Sequence, residues 1–257
     1  MATSSTLRAP ARPALARPQR NAATGVSSPA RALETIVVCG RAFIADSSGA
    51  LYWPDEQTLI VADLHLEKGS SAARRGTMLP PYDTHATLMK LAEAIDRYDP
   101  ARVVALGDSL HDGGAAARNG ADNLAAISIM QENREFLWIA GNHDPVIPKL
   151  LGGRPAPELV IGGLHLRHEP FAGPATHEIS AHLHPAARLA THGTAIRRPC
   201  FVSNGRRLVM PAFGAFTGGL NVLDEAFAPV FGSDGLQVWM LGHDGAYPVA
   251  ARRLRGD

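Results

Sequence analysis

Three apolar runs in this chain each break off into a residue able to bind a cation. Residues 58–62 lead into Asp63-Leu64-His65, residues 103–106 into Gly107-Asp108, and residues 136–140 into Gly141-Asn142-His143-Asp144. Short β-branched runs of this kind predict strands. Between them lie helical patterns. Over residues 82–98, Leu88, Leu91, Ala94, Ile95 and Tyr98 recur at helical spacing, with Asp83 as the expected N-cap, and residues 123–135 predict a second helix. Strand, polar motif, helix, strand, polar motif is the rhythm of an α/β protein, in which loops converge beyond the carboxyl ends of the strands.

Residues 35–39 add one more predicted strand at the start. From Leu159 onward the pattern changes to strands without long helices: 164–168, 178–181, 191–196, 199–203 and 206–210, with Asn204-Gly205 as a two-residue hairpin signal. The second half therefore reads as a mostly antiparallel sheet packed on the first. It carries His168 and His182-Leu183-His184. Side chains alternate faces along an extended segment, so Asp63 and His65 point one way with Leu64 turned to the core, and His182 and His184 also share a face. In 164–168, His168 lies on the leucine face and His165 opposite, which makes His168 the ligand candidate. A lone Asp after a strand is usually a cap, and a lone His on an apolar face is usually a core residue. The joint set of carboxylate, amide and imidazole instead fits two adjacent divalent cations rather than a thiolate site, Mn²⁺ first, with Fe²⁺ or Zn²⁺ as alternatives.

Charge separates a tail from the rest. Residues 1–33 hold five arginines and no Asp or Glu. Setting those five aside from 25 Lys and Arg leaves 20 against 24 Asp and Glu, a formal charge of −4. The tail, rich in Ala, Pro, Ser and Thr, is expected to be disordered and solvated, with a nucleic-acid tether as the second reading; residues 34–257 are expected to form one domain. The 22 arginines against 3 lysines indicate an Arg-biased composition, so the tail's transit-like look requires no targeting role. Cys39 and Cys200 sit in apolar runs and are expected to be free thiols in a reducing cytoplasm. No run approaches the ~20 apolar residues of a membrane span.

In order and type, the motifs resemble the calcineurin-like metallophosphoesterases, whose pattern runs D-x-H, G-D, G-N-H-D/E, H, G-H-x-H. The resemblance implies a layered sandwich of two mixed β-sheets flanked by helices. It assigns Asp63, His65, Asp108 and His184 to a first metal and Asp108, Asn142, His168 and His182 to a second, with Asp108 bridging. Two dications ~3.5–4 Å apart need a shared anion on physical grounds too. It further implies that His143 donates a proton or hydrogen bond to the leaving oxygen, and that Asp144 orients the His143 ring; a cap for the turn before Pro145 is the other reading of Asp144. His111 is a candidate for a substrate or supporting contact. Ala181 stands where the family has Gly, and a methyl there would strain a positive-φ backbone.

A longer likeness is carried by Val61-Ala62-Asp63-Leu64-His65-Leu66-Glu67-Lys68-Gly69, by Leu106-Gly107-Asp108-Ser109-Leu110-His111-Asp112, by Arg198-Pro199-Cys200-Phe201-Val202 and by residues 208–222. These segments resemble the ligase-associated DNA damage response endonuclease (PdeM) subfamily over most of residues 35–250. Membership implies a Mn²⁺-dependent phosphodiesterase and endonuclease preferring single-stranded DNA, working beside a DNA ligase, a helicase and an exonuclease. Its chemistry would be in-line attack by a metal-bridging hydroxide. The acidic body argues against broad capture of a duplex. Local arginine pairs occur at Arg74-Arg75, Arg197-Arg198, Arg206-Arg207 and Arg252-Arg253, the first being the best phosphate candidate because its segment leaves the metal motif directly. Phe213 and Phe216 either stack on bases or fill the core. Two alternatives stand beside this reading: a small-molecule or nucleotide phosphodiesterase or phosphatase on the same site, and a catalytically impaired binding module.

Overall fold

The computed structural model describes residues 7–8, 34–77, 82–174, 177–191, 193–232 and 234–257. Apart from β1 (Leu7–Arg8), which pairs in parallel with a later strand, the arginine-bearing tail lies outside the described residues. The first sheet takes seven strands in chain order. β2 (Glu34–Val38), β3 (Arg41–Ala45) and β4 (Leu51–Trp53) form an antiparallel meander that pairs with β5 (Thr58–Val61). β6 (Arg102–Leu106), β7 (Glu135–Ile139) and β8 (Arg154–Ala156) then follow β5 in parallel. The crossovers are α1 (Lys68–Arg74), α2 (Asp83–Tyr98), α3 (Ala115–Arg118) and α4 (Ala121–Met130).

The second sheet holds β9 (Leu159–Ile161), β10 (Leu164–Leu166), β11 (Glu178–Ser180), β12 (Pro185–Thr191), β13 (Thr194–Ser203), β14 (Arg207–Val209), β15 (Leu220–Asn221), β16 (Gln237–Leu241) and β17 (Ala246–Val249), with β1 at its edge. It is mixed rather than mostly antiparallel: β10, β11 and β14 lie side by side in parallel. That correction matters for the site, because parallel neighbours deliver their carboxyl ends to one edge. The expected strand over 191–196 is also corrected. It spans the turn of a long β12–β13 hairpin, in which Ala190 faces Ala195 and Ala186 faces Pro199. At Asn204-Gly205 the hairpin forms, but only Gly205 takes positive φ, while the Asn204 side chain accepts from the main chain of Arg206 and Arg207.

Two sheets with helices outside give three apolar layers. Between the sheets, Ile36, Phe43, Trp53, Ile60, Val104 and Leu137 meet Leu164, Leu166, Ile179, Phe201, Leu208 and Trp239. Outside the first sheet, Leu59, Val103, Phe136 and Trp138 pack under Leu88, Leu91, Ile95, Ile127 and Met130 of the helices. Outside the second, Val202, Val209, Val238 and Met240 pack under Phe227 and Phe231, the latter in α5 (Ala228–Phe231). β6 is buried along its whole length because both faces are covered, which is why such strands read as continuous apolar runs. Each such side chain contributes about 1.5–3 kcal/mol when fully buried. Among the described residues, no helix is long and apolar enough to cross a membrane.

Candidate metal centre

The loops leaving β5 and β6 stay zipped together beyond the strands. Asp63 N donates to Gly107 O (3.3 Å), His65 N to Asp108 O (2.9 Å) and Leu66 N to Ser109 O (2.9 Å). From the second sheet, Gly214 N reaches Asp63 O (3.0 Å), and His182 N reaches the Asp63 carboxylate (3.3 Å). The loop after β14 is tied to α2 by Ala215 N donating to Thr87 Oγ1 (2.9 Å). At the start of α2, Asp83 does not cap its own helix. Its carboxylate accepts from Gly69 N (2.8 Å), and Thr84 pairs with the buried Glu67, so α2 clamps the segment that follows His65.

The two sheet edges bring the predicted residues into two adjacent groups: Asp63, His65 and His184 in one, Asp108, His168 and His182 in the other, with Asn142 Oδ1 2.9 Å from His168 Nε2. Asp108 Oδ2 stands between them, 3.4 Å from His168 Nε2 and 4.0 Å from His65 Nε2. His182 and His184, expected to share a face, divide between the groups. The reason for the clustering is also corrected. Asp63, His65, Asp108, His182 and His184 have φ of 51°, 44°, 46°, 69° and 45°, a left-handed backbone rather than an extended one. Leu64, between the first pair, is buried in the helix-side core as expected.

Ring protons can be assigned from their main-chain partners. His168 Nδ1 lies 3.0 Å from Leu106 O and His184 Nδ1 3.2 Å from Gly218 O, so both carry a proton at Nδ1 and turn Nε2 inward. His184 Nε2 then faces Asp63 Oδ1 at 3.2 Å and His65 Nε2 at 3.4 Å, while His168 Nε2 lies 3.1 Å from His182 Nδ1. Asp63 Oδ1 is buried with no hydrogen-bond donor. A fully buried carboxylate oxygen without a donor, facing imidazole lone pairs, is an arrangement that a bound cation satisfies. The residues present thus fit divalent metal ions in both groups.

Electrostatics distinguish the groups. Burial, reinforced by His184, lowers His65 to about 3, so this ring is neutral. Burial would also lower His168, but the hydrogen bond to Asp108 and the charge of Asp63 outweigh it and raise the ring to about 9. Burial would raise Asp108, yet His168 and the His143 main-chain N–H hold it down to about 2. Without ions the second group is therefore an imidazolium–carboxylate pair, and an ion entering it must displace the Nε2 proton.

His143 sits half-exposed on the rim, its Nε2 3.9 Å from Asp108 Oδ2. Its Nδ1 points to His111 O (2.9 Å), not to Asp144. The expected orienting role of Asp144 is thereby corrected. The Asp144 carboxylate accepts from Gly141 N (3.0 Å) and Leu110 N (3.0 Å), binding the β6 and β7 loops to each other, and burial raises it to about 6. His111 lies against His143 with ring centroids 5.4 Å apart, its Nδ1 3.4 Å from His65 Nδ1 and its Nε2 3.4 Å from Arg75 Nη2. Arg74 and Arg75 are exposed at the end of α1 beside a pocket of about 300 Å³ also lined by Asp112 and Arg118. Arg207, by contrast, leaves the list of surface arginines: it is buried, paired with Glu178 and donating to Gly173 O, Val230 O and Phe171 O. Phe213 is core, while Phe216 is 54% exposed.

Ala181 has ordinary backbone geometry, and its methyl lies in the core between the sheets, so the missing glycine causes no strain. Close approach is required elsewhere: a Cβ on Gly107 (φ 73°) would sit 2.5 Å from the His168 ring, and one on Gly141 2.2 Å from Asp108 Oδ1. The carbonyls of Leu106, His111 and Gly218, which orient three of these rings, carry no side-chain signal and were not legible beforehand.

Among curated proteins none matches the chain. Among solved structures, the nuclease MPE of Pseudomonas putida is similar at 25% identity and a TM-score of 0.64, over 84% of this chain and 100% of that one. The calcineurin-like phosphoesterase family matches residues 57–200, more than half of the chain, from just before the first strand-end carboxylate to beyond His184. This chain belongs to the calcineurin-like phosphoesterases, a family of metal-dependent hydrolases.

Proposed function

We propose that the protein is a Mn²⁺-dependent phosphodiesterase that cuts single-stranded DNA internally, in repair, beside a DNA ligase, a helicase and an exonuclease. The observation that carries the hydrolytic part is the pair of adjacent ligand groups sharing Asp108, with a rim histidine free to meet a leaving group. The nuclease likeness and the subfamily segments support the choice of a polynucleotide. Asp63, His65, Asp108 and His184 would hold one ion, and Asp108, Asn142, His168 and His182 the other. When bound, the ions supply charge to neutralise a phosphodiester and to activate water.

The chain's own residues then do three things. Leu106 O and Gly218 O fix His168 and His184 with Nε2 inward, so the ligand atoms need no reorientation. Asp144 ties the Asp108 and Asn142 loops, holding the two groups at fixed separation. His143, held at Nδ1 by His111 O, presents Nε2 to the cleft, from where it can give a proton or hydrogen bond to the departing 3′ or 5′ oxygen. A flexible strand bends onto such a site at less cost than a stiff duplex. Circular single-stranded DNA with Mn²⁺ is the test, since it offers no ends. The expected result is linearisation followed by fragmentation, with little action on a blunt duplex. A circle left intact while nucleotides or aryl phosphates are hydrolysed rapidly would replace this reading with a small-molecule phosphoesterase.

A further inference from the structure

Three pockets lie about the cleft, two lined by residues of the metal groups and one reached through the contact of Arg75 with His111, and their charges differ. The first, at the end of α1, offers Arg74 and Arg75. The second, about 120 Å³, is lined by His184 itself together with Arg197, Arg198, Thr217 and Gly218. The third, beside Asn142 and His168, presents Glu158 and Glu169, and its Arg167 is already paired with Glu158 (2.9 Å). Several arginines near the cleft are likewise committed: Arg118 to Asp112 (2.8 Å) and Arg197 to Asp257 (3.2 Å). Among the described residues, Arg74, Arg75 and Arg198 have no carboxylate within ion-pair distance.

These uncommitted cations lie at the two ends of one line of contacts. Arg75 touches His111, His111 touches His65 and His65 touches His184, each at 3.4 Å, and His184 lines the pocket that contains Arg198. In that second pocket Thr217 Oγ1 is buried without a partner, and the neighbouring Phe216 is exposed with φ 57°, a costly backbone for an aromatic residue on a rim. Resting on the polynucleotide reading above, we infer that the strand crosses the Asp63/His65/His184 side of the centre along this line. Arg74 and Arg75 hold the phosphate on one flank of the scissile bond, and Arg198 with Thr217 holds the phosphate on the other. Phe216 stacks on an unpaired base. The strand avoids the third pocket, where Arg167 offsets Glu158 and the charge of Glu169 is left to repel its phosphates. Specificity for a polymer over a small diester thus comes from positions outside the ligand groups.

The test compares Arg74→Ala, Arg198→Ala and the double variant on a 20–30-residue single-stranded oligonucleotide (~20–30, long enough to pass both pockets at several nucleotides per site) and on a bis-aryl phosphodiester, with Mn²⁺. Each single variant is expected to lower kcat/KM for the oligonucleotide about tenfold more than for the aryl diester. Each should also reduce the salt slope of oligonucleotide binding by about 0.7, and the double variant by about 1.4. Equal losses on both substrates, or an unchanged oligonucleotide KM and salt slope, overturn the track. The two failures are separable. Wild-type protein that hydrolyses the aryl diester but leaves the oligonucleotide whole defeats the polynucleotide reading and the track with it. Wild-type protein that cuts the oligonucleotide as well as the arginine variants do defeats the track alone.

Discussion

The two ligand groups are built from the same residue types yet differ in what surrounds them. The group of Asp63, His65 and His184 opens toward uncommitted arginines, and its His65 is neutral by burial. The group around Asp108 and His168 is closed by the Leu106 carbonyl, faces glutamates at its mouth and holds a proton in the absence of an ion. The lesson is that equal donors do not make equal sites: local charge sets how readily each accepts an ion and how each meets an anion.

Removing the residue common to both groups erases the contrast. Asp108→Ala is expected to abolish activity, on the order of 10⁴-fold or more, and elemental analysis should show loss of metal from both groups. Two ions retained in an inactive Asp108→Ala protein would refute the sharing. His143→Ala removes no ligand and keeps the His143 main-chain bond to Asp108, so metal content should hold while kcat falls roughly 10²–10⁴-fold. The loss should shrink for an aryl leaving group that needs no proton; equal losses on alkyl and aryl diesters would point to positioning instead.

Paired variants sharpen the comparison further. His65→Ala and His168→Ala should each cost mainly one ion. His168→Ala should in addition lower the stability of the metal-free protein by about 1–3 kcal/mol, because Asp108 and Leu106 O lose a buried donor. Equal thermal shifts for the two variants would erase the distinction. A subtler difference is pH-dependent. His168, raised to about 9, is protonated at neutral pH, so its ion must release about one proton, and affinity for that ion should climb as pH rises toward about 9. His65, lowered to about 3, has no proton to release in that range. Titration calorimetry in buffers of different ionisation heat would read one proton for one ion and none from His65 for the other. The smallest effect is expected from Ala181→Gly, which removes a core methyl and should change stability by about 1 kcal/mol and activity by less than about twofold.

Much of this was legible because burial on both faces forces continuous apolar runs. β5, β6 and β7 lie within a residue of their expected limits, and the polar residue that ends each run is where the site begins. The helix expected over 123–135 stops at Met130 instead, since Gln131–Arg134 turns, with Asn133 at φ 59°, to start β7. β12 was missed because Pro185-Ala-Ala-Arg-Leu-Ala-Thr191 has a single β-branched residue and three alanines, which carry little strand signal. The ligand side chains were readable from type and spacing, but the backbone that aims them was not. Nothing in D-x-H signals a left-handed conformation at both ends of the motif, and Asp144 binds main-chain groups of two loops that only the folded chain brings together.

That left-handed backbone has a practical consequence for making inert proteins that keep their shape. Alanine at position 63, 65, 108, 182 or 184 removes a donor and also places a Cβ-bearing residue of poor αL tolerance where Asp and His are more easily accommodated. Glycine removes the donor and relaxes the torsion, with the loop still pinned by Asp63 N, His65 N and Gly214 N. His65→Gly or His184→Gly is therefore the better silent partner for trapping a bound substrate, and imidazole added to the solution has an open socket in which to replace the missing ring.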